Sequence, residues 1–226
     1  MEVIILAGGF GTRLKSVVPD LPKPMANVAG KPFLEILLNS LIKKGAKRII
    51  LSVGYMANKI IDYFGNDFAG IEIIYEIENS PLGTGGAIYN ALKKCTSDHV
   101  LVLNGDTFFD IDILLAEFTW QKNYTPLIFG CLVSDTSRYG RLDIDKNNRI
   151  IGFKEKGESG SGLINAGGYL LPVNIFGEKL IEMPFSFEND FLVKILNVIK
   201  FEALIVSGKF IDIGIPDDYA RAQLEF

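Results

Sequence analysis

Glycine, arginine and lysine gather within the first two dozen residues of this chain in a pattern suited to gripping phosphate. The apolar run Val3-Ile4-Ile5-Leu6-Ala7 leads straight into Gly8-Gly9-Phe10-Gly11-Thr12-Arg13-Leu14, and Pro22-Lys23-Pro24 follows. A strand that ends in a glycine turn leaves backbone N–H groups pointing outward, and such groups bind phosphate oxygens. Arg13 adds a planar fork that is always charged. Lys23 adds a second cation on a backbone that its flanking prolines stiffen. The combination suits a polyphosphate.

Spacing excludes one familiar phosphate loop and argues against another. A Walker loop places a glycine five residues before its Gly-Lys pair. Ahead of Gly30-Lys31 and Gly208-Lys209 those positions hold Met25 and Ala203. The dinucleotide fingerprint fails at its third glycine, where Leu14 stands, and the strand Arg48–Val53 runs into Gly54 instead of a ribose-holding acid. The pattern argues against a dehydrogenase.

Further motifs follow in order: Pro81-Leu82-Gly83-Thr84-Gly85-Gly86-Ala87, Asn104-Gly105-Asp106, Phe153-Lys154-Glu155-Lys156, Asn165-Ala166-Gly167-Gly168-Tyr169 and Asp212-Ile213-Gly214-Ile215-Pro216-Asp217-Asp218-Tyr219. With the opening G-G-x-G-T-R-L and P-K-P, they resemble the sugar-1-phosphate nucleotidylyltransferases along nearly the whole chain. Within that family the chain is most similar to guanylyltransferases acting on D-glycero-alpha-D-manno-heptose 1-phosphate. The resemblance implies a reaction in which a sugar 1-phosphate oxygen attacks the α-phosphorus of a nucleoside triphosphate and pyrophosphate leaves. The nucleophile is already an anion, so alignment and charge neutralisation must supply the catalysis. The lone His99 stands apart from every motif and is expected to be structural.

By the same resemblance, Leu6, Ala7, Gly8, Gly9, Gly11, Thr12, Glu78, Gly83, Thr84 and Asn104 would contact the nucleotide. Arg13 and Lys23 would grip its phosphates and act in catalysis with Asp106. Asp106 and Asp212 would hold Mg²⁺, an ion that takes few carboxylates and keeps several waters. Each acid follows a strand-like run and has no evident charge partner in sequence; two solvated turn aspartates would look the same. Gly140, Glu155, Lys156 and Asn165 would bind the sugar phosphate, although Lys154-Glu155-Lys156 alone is also an ordinary charged strand end. Asp110 and Asp112 are expected to start a helix, and Asp217 and Asp218 to occupy the first turn of another. Glu78 accepts hydrogen bonds only. It therefore suits the adjacent N1–H and N2–H₂ donors of guanine, while the N3–H of uracil leaves a uridylyltransferase acting on N-acetylmuramate 1-phosphate open. A mannose 1-phosphate guanylyltransferase and an inactive nucleotide-sugar-binding paralogue are the other readings; the second would be expected to have lost Arg13, Lys23, Asp106 or Asp212.

The elements that must position these residues alternate. Strands are expected at Val3–Ala7, Arg48–Val53, Ile71–Ile77 and His99–Leu103, with helices at 33–44, 58–64 and 85–94 between them. Phe33, Leu34, Leu37, Leu38, Leu41 and Ile42 form one helical stripe. The second half adds strands at 126–133, 141–144, 150–154, 162–171 and 201–206, and helices at 111–118, 190–199 and 217–224. The fold class is α/β: a single Rossmann-like, GT-A-like domain over 1–226 with a mixed, mostly parallel sheet flanked by helices. Residues 1–110 would form the nucleotide half and 111–226 the sugar-phosphate half, without the C-terminal β-helix many relatives carry. With 48% hydrophobic residues the chain has material for a large core, and its net charge of -4 makes nucleic acid a poor partner. The first apolar run is too short for a signal peptide, and no stretch approaches the roughly 18–20 apolar residues of a membrane helix. Cys95 and Cys131 lack metal spacing and suit a reducing cytoplasm. The expected partners are GTP and a sugar 1-phosphate, with neither nucleic acid nor membrane; a homodimer is compatible.

Overall fold

The computed structural model describes residues 1–154, 156–157, 159–177 and 182–226. Its first half is built from β1 (Glu2–Ala7), α1 (Phe33–Lys43), β2 (Arg48–Val53), α2 (Ala57–Phe64), β3 (Ile71–Ile77), α3 (Gly83–Leu92) and β4 (His99–Asn104). The four strands are parallel, in the order β3-β2-β1-β4. Parallel strands need covering on both faces, which is why β1, β2 and β4 are apolar almost throughout. Successive side chains point to opposite faces, so β1 feeds two cores. Val3 and Ile5 join Phe33, Leu37 and Leu41 of α1 in one, and Ile4 joins Ile88 and Ala91 of α3 in the other.

The second half comprises β5 (Thr107–Phe109), α4 (Ile113–Asn123), β6 (Leu127–Val133), β7 (Arg141–Ile144), β8 (Ile150–Lys154), β9 (Gly162–Pro172), β10 (Glu202–Val206), β11 (Phe210–Asp212) and α5 (Pro216–Glu225). The long β9 runs antiparallel to β4 and extends the sheet through β7 to β8. It also pairs with β6, which β10 joins in parallel. The α/β class and mixed sheet expected from the sequence are present, parallel in the first half and mainly antiparallel in the second. Among the described residues no helix is long and apolar enough to cross a membrane.

Several local expectations need correction. The helix α3 starts at Gly83, earlier than expected, because Leu82 and Gly85 are tied by backbone bonds to Phe185. The helix expected over 190–199 is instead a π-helical turn, Phe187–Leu192, running into a short α-turn, Val193–Ile195. Ser186 starts it early: its Oγ accepts from Asn189 N at 3.1 Å, and its own N–H donates to Asp190 Oδ2 at 2.7 Å. Asp112 caps α4 by accepting from Leu115 N at 2.9 Å, whereas Asp110 pairs with Lys44 and plays no part in the cap. Asp218 is more than a first-turn acid, since it is buried and lies 2.6 Å from Arg138 Nη1. The strand β5 was not anticipated; its partner is β11, about a hundred residues away, in the register Phe109↔Phe210 and Thr107↔Asp212. His99 stacks on Trp120 at 5.0 Å and meets Glu117 Oε2 at 3.0 Å, at the end of β4 remote from Asn104.

At that same amino end, Glu2 is 5% exposed. Its carboxylate accepts from the Ser97 and Thr96 amides, the Thr96 hydroxyl and Arg48 Nη1 at 2.6–3.0 Å. Burial opposes ionisation, yet these donors outweigh it and hold the carboxyl at about 2 against an ordinary 4.5. A carboxyl that binds its proton less tightly when folded contributes stability above the ordinary value and loses it as pH falls toward the folded one. Glu2→Gln should therefore cost about 2 kcal/mol at neutral pH. It should also flatten the stability profile between about pH 4.5 and about 2. Thermal unfolding across that range checks both, and an unchanged profile would refute the role given to this cluster.

Candidate active site

Two cavities open along the carboxyl ends of β1 and β4. The first, about 400 Å³, is walled by Leu6 and Ala7 of β1, the turn Gly8–Arg13, Lys23, Glu78, Gly83, Thr84, Asn104 and Asp106. Every residue expected at the nucleotide lines it. The second, about 420 Å³, contains Gly140, Lys156, Asn165 and Asp212. Glu155, also expected there, lies outside the described residues. Either volume takes a small polar ligand. The cavities share Arg13, Thr84, Asn104 and Asp106, so a molecule in one abuts a molecule in the other at these side chains.

The charged centre lies at that junction. Lys23 is 9% exposed, and its Nζ sits 2.5 Å from Asp106 Oδ2 and 3.7 Å from Asp212 Oδ1. The two acids thus have a charge partner that spacing along the sequence did not disclose. Asp106 follows β4 through a turn whose Gly105 N–H donates to Leu6 O at 2.9 Å. Asp212 ends β11 opposite Thr107, and Ile213 N donates to Asp106 O at 3.0 Å. Burial works against the charge on Asp106, but Lys23 outweighs it and holds that carboxyl below its ordinary value. Burial and then the facing Asp106 charge push Asp212 upward. One lysine therefore under-compensates two carboxylates, and Asp212 Oδ1 is buried without a hydrogen-bond partner. A hard divalent cation that draws its remaining ligands from water and phosphate oxygens fits this donor set. Among the described residues, no three His, Cys, Asp or Glu side chains cluster as a ligand set, here or elsewhere.

At the far end of the first cavity Glu78 is fixed by Ser52, whose Oγ donates to Oε1 at 2.9 Å, and by Leu82 N at 3.4 Å from Oε2. A Cβ on Gly8 would stand 2.6 Å from that Oε1, so a side chain there would have to push the carboxylate aside. Gly83 has φ +73, and a Cβ there would meet Phe185 O at 2.3 Å. Arg13 is exposed at the cavity junction, and Lys156 is exposed at the rim of the second cavity.

Sequence reasoning missed Tyr169, Ser186, Glu188 and Asn189 as lining residues of the second cavity. Tyr169 closes a recognised motif, but Ser186-Phe187-Glu188-Asn189 carries no signal of its own. It reaches the site only because the π-helical turn packs against α3.

Comparison with known proteins gives this geometry a family. The chain matches the nucleotidyl transferase family over residues 2–226 and belongs to it. It is 45% identical, over all of its length and 98% of the relative's, to a D-glycero-alpha-D-manno-heptose 1-phosphate guanylyltransferase of Aneurinibacillus thermoaerophilus. A protein of the same description from Campylobacter jejuni is 46% identical over 97% of both chains. The crystal structure of HddC from Yersinia pseudotuberculosis complexed with GMP-PN superposes with a TM-score of 0.88 at 44% identity, covering 100% of this chain and 99% of that one.

The glycine geometry separates two substitutions only two motifs apart. Gly83→Ala should cost about 2 kcal/mol or more from the left-handed backbone and the Phe185 collision. Gly9→Ala meets no atom within 4 Å and should leave thermal stability within about 0.5 kcal/mol of the parent. Paired melting curves test the contrast, and equal losses would contradict it.

Proposed function

We propose that this protein transfers a guanylyl group from GTP to D-glycero-alpha-D-manno-heptose 1-phosphate. Pyrophosphate is released and GDP-heptose is formed, in the cytoplasm, for surface-polysaccharide synthesis. The observation that carries the reading is the meeting of two cavities at Arg13 and Asp106, with phosphate-binding groups on each side. The guanylyltransferase relatives and the GMP-PN complex support the choice of nucleotide and sugar.

In this reading the triphosphate lies along the glycine turn of the first cavity, and the sugar phosphate is held in the second by Lys156. Gly140 and Asn165 touch its sugar. The attacking phosphate oxygen needs no base, and no titratable histidine lines either cavity. Arg13, exposed to both, neutralises charge that grows at the α-phosphorus, where a guanidinium fork matches two phosphate oxygens. Lys23 is positioned for the same work and keeps the acids from repelling one another meanwhile. Asp106 and Asp212 would hold Mg²⁺, which when bound supplies further charge neutralisation to the phosphate oxygens. Glu78, held by Ser52, accepts from the paired donors of guanine.

Two measurements test the proposal. Asp106→Ala and Asp212→Ala should each reduce turnover by about a thousandfold or more while the protein stays folded. Near-parental rates with Mg²⁺ present would remove the acids from the mechanism. In a panel of the four nucleoside triphosphates against heptose-, mannose- and N-acetylhexosamine 1-phosphates, followed by pyrophosphate release, GTP with the heptose should lead. Adenine and cytosine present an unprotonated ring nitrogen to Glu78, a mismatch worth roughly 2–4 kcal/mol when buried. Equal use of GTP and ATP would mean that the base is read elsewhere.

A further inference from the structure

Glu188 stands on the π-helical turn in the wall of the second cavity, and three hydroxyls converge on its carboxylate. Tyr169 donates to Oε1 at 2.8 Å, Thr84 to Oε2 at 2.8 Å and Ser186 to Oε2 at 3.0 Å. A carboxylate only accepts, so each hydroxyl gives its proton to Glu188 and its oxygen is left to accept from a further donor. The Phe187 amide donates into Thr84 Oγ1 at 2.9 Å, and the Asn189 amide into Ser186 Oγ at 3.1 Å. Asn165 Nδ2 donates into the Tyr169 hydroxyl at 2.7 Å. Each hydroxyl thus accepts one bond while donating to Glu188. A carboxylate can take all three; an amide in its place has one acceptor oxygen and a nitrogen that only donates.

One arm of this network ends in the second cavity and the other at the wall the two cavities share. Through Tyr169, which is fully buried, it reaches Asn165, and the other end of the Asn165 amide accepts from Gly167 N at 3.0 Å. Asn165 is thus fixed at both ends of its amide. Through Thr84 the network reaches the first turn of α3, beside Gly83, in the wall the two cavities share. We propose that Glu188 is a positioning residue that sets the sugar side through Tyr169 and Asn165 and the nucleotide side through Thr84. One carboxylate thereby holds both substrates' walls in mutual register. This rests on the assignment above of which cavity takes which substrate.

The experiment is calorimetric binding of a non-hydrolysable guanosine triphosphate and of D-glycero-alpha-D-manno-heptose 1-phosphate, each alone, alongside steady-state kinetics. Loss of a hydrogen bond to a charged acceptor corresponds to about tenfold in affinity. Glu188→Ala, which removes every acceptor, should weaken both ligands by about that factor, whereas Glu188→Gln, whose one amide oxygen can serve a single arm, should weaken one ligand more than the other. Tyr169→Phe should weaken the sugar phosphate more than the nucleotide, and Thr84→Val the nucleotide more than the sugar phosphate. Each double variant with Glu188→Ala should lose no more than its weaker-binding single, because the pair acts through one contact. Unaltered affinities with a lowered Tm, or losses that simply add, would make Glu188 an architectural residue and overturn the inference alone. If Glu188→Ala does not fold, the unequal losses in Tyr169→Phe and Thr84→Val support the two arms, and their absence refutes them. A parent protein that binds neither ligand would overturn this inference and the proposed function together.

Discussion

Two carboxylates that face one another in a partly buried site need a cation between them or must share a proton. Lys23 meets that requirement here, and the architecture around it is arranged to bring three distant segments to one ammonium group. Lys23 opens a short 3-10 turn, Lys23–Met25, anchored by Met25 N donating to Pro22 O at 2.8 Å. Asp106 is delivered by β4, the central strand, and Asp212 by a two-stranded ribbon that docks beside it. A buried ion pair is a poor source of stability, because removing charges from water offsets most of the attraction. The arrangement is better understood as a charge template. It holds two carboxylates at a fixed place and leaves them short of positive charge, with Asp212 Oδ1 buried and without a hydrogen-bond partner.

Register is what makes that template reproducible. The pairing Thr107↔Asp212 places the carboxylate toward Lys23, and a slip of one residue would turn Asp212 to the opposite face and substitute Ile211 or Ile213. Those isoleucines are wholly buried, so their burial opposes the slip. The apolar core and the polar site are therefore one constraint. The same economy appears at β9, which completes the sheet beside β4 and carries Asn165 and Tyr169 into the second cavity.

The two cavities differ in construction. The first is made largely of backbone: a glycine turn, a helix start and the ends of two strands, with Glu78 as its main fixed acceptor. Such a surface suits phosphates and a flat base, which are recognised by N–H groups and close approach. The second is made largely of side chains on β8, β9, β11 and the π-helical turn, with hydroxyl bonds tying β9 to that turn. Directional networks of this kind suit a sugar, whose hydroxyls both donate and accept.

Much was legible from residues alone. The alternation of apolar strands and amphipathic helices through residue 104 specified the parallel half, because period and burial there depend on local sequence. The glycine turn, Arg13 and Lys23 pointed to one phosphate-gripping surface, and the structure brings all of them to the wall of a single cavity. Local chemistry did not reveal β5, whose strand character comes from a partner about a hundred residues away, nor the π-helical turn, which Ser186 and its contacts with α3 impose. It did not reveal that Lys23 lies between Asp106 and Asp212, or that Glu188 joins Thr84 to Tyr169. The sequence by itself determined the kind of ligand and the fold class, through residue type and periodicity. The tertiary structure alone decided which charges meet and how the two cavities share a wall, because those depend on long-range pairing and register that no local pattern encodes.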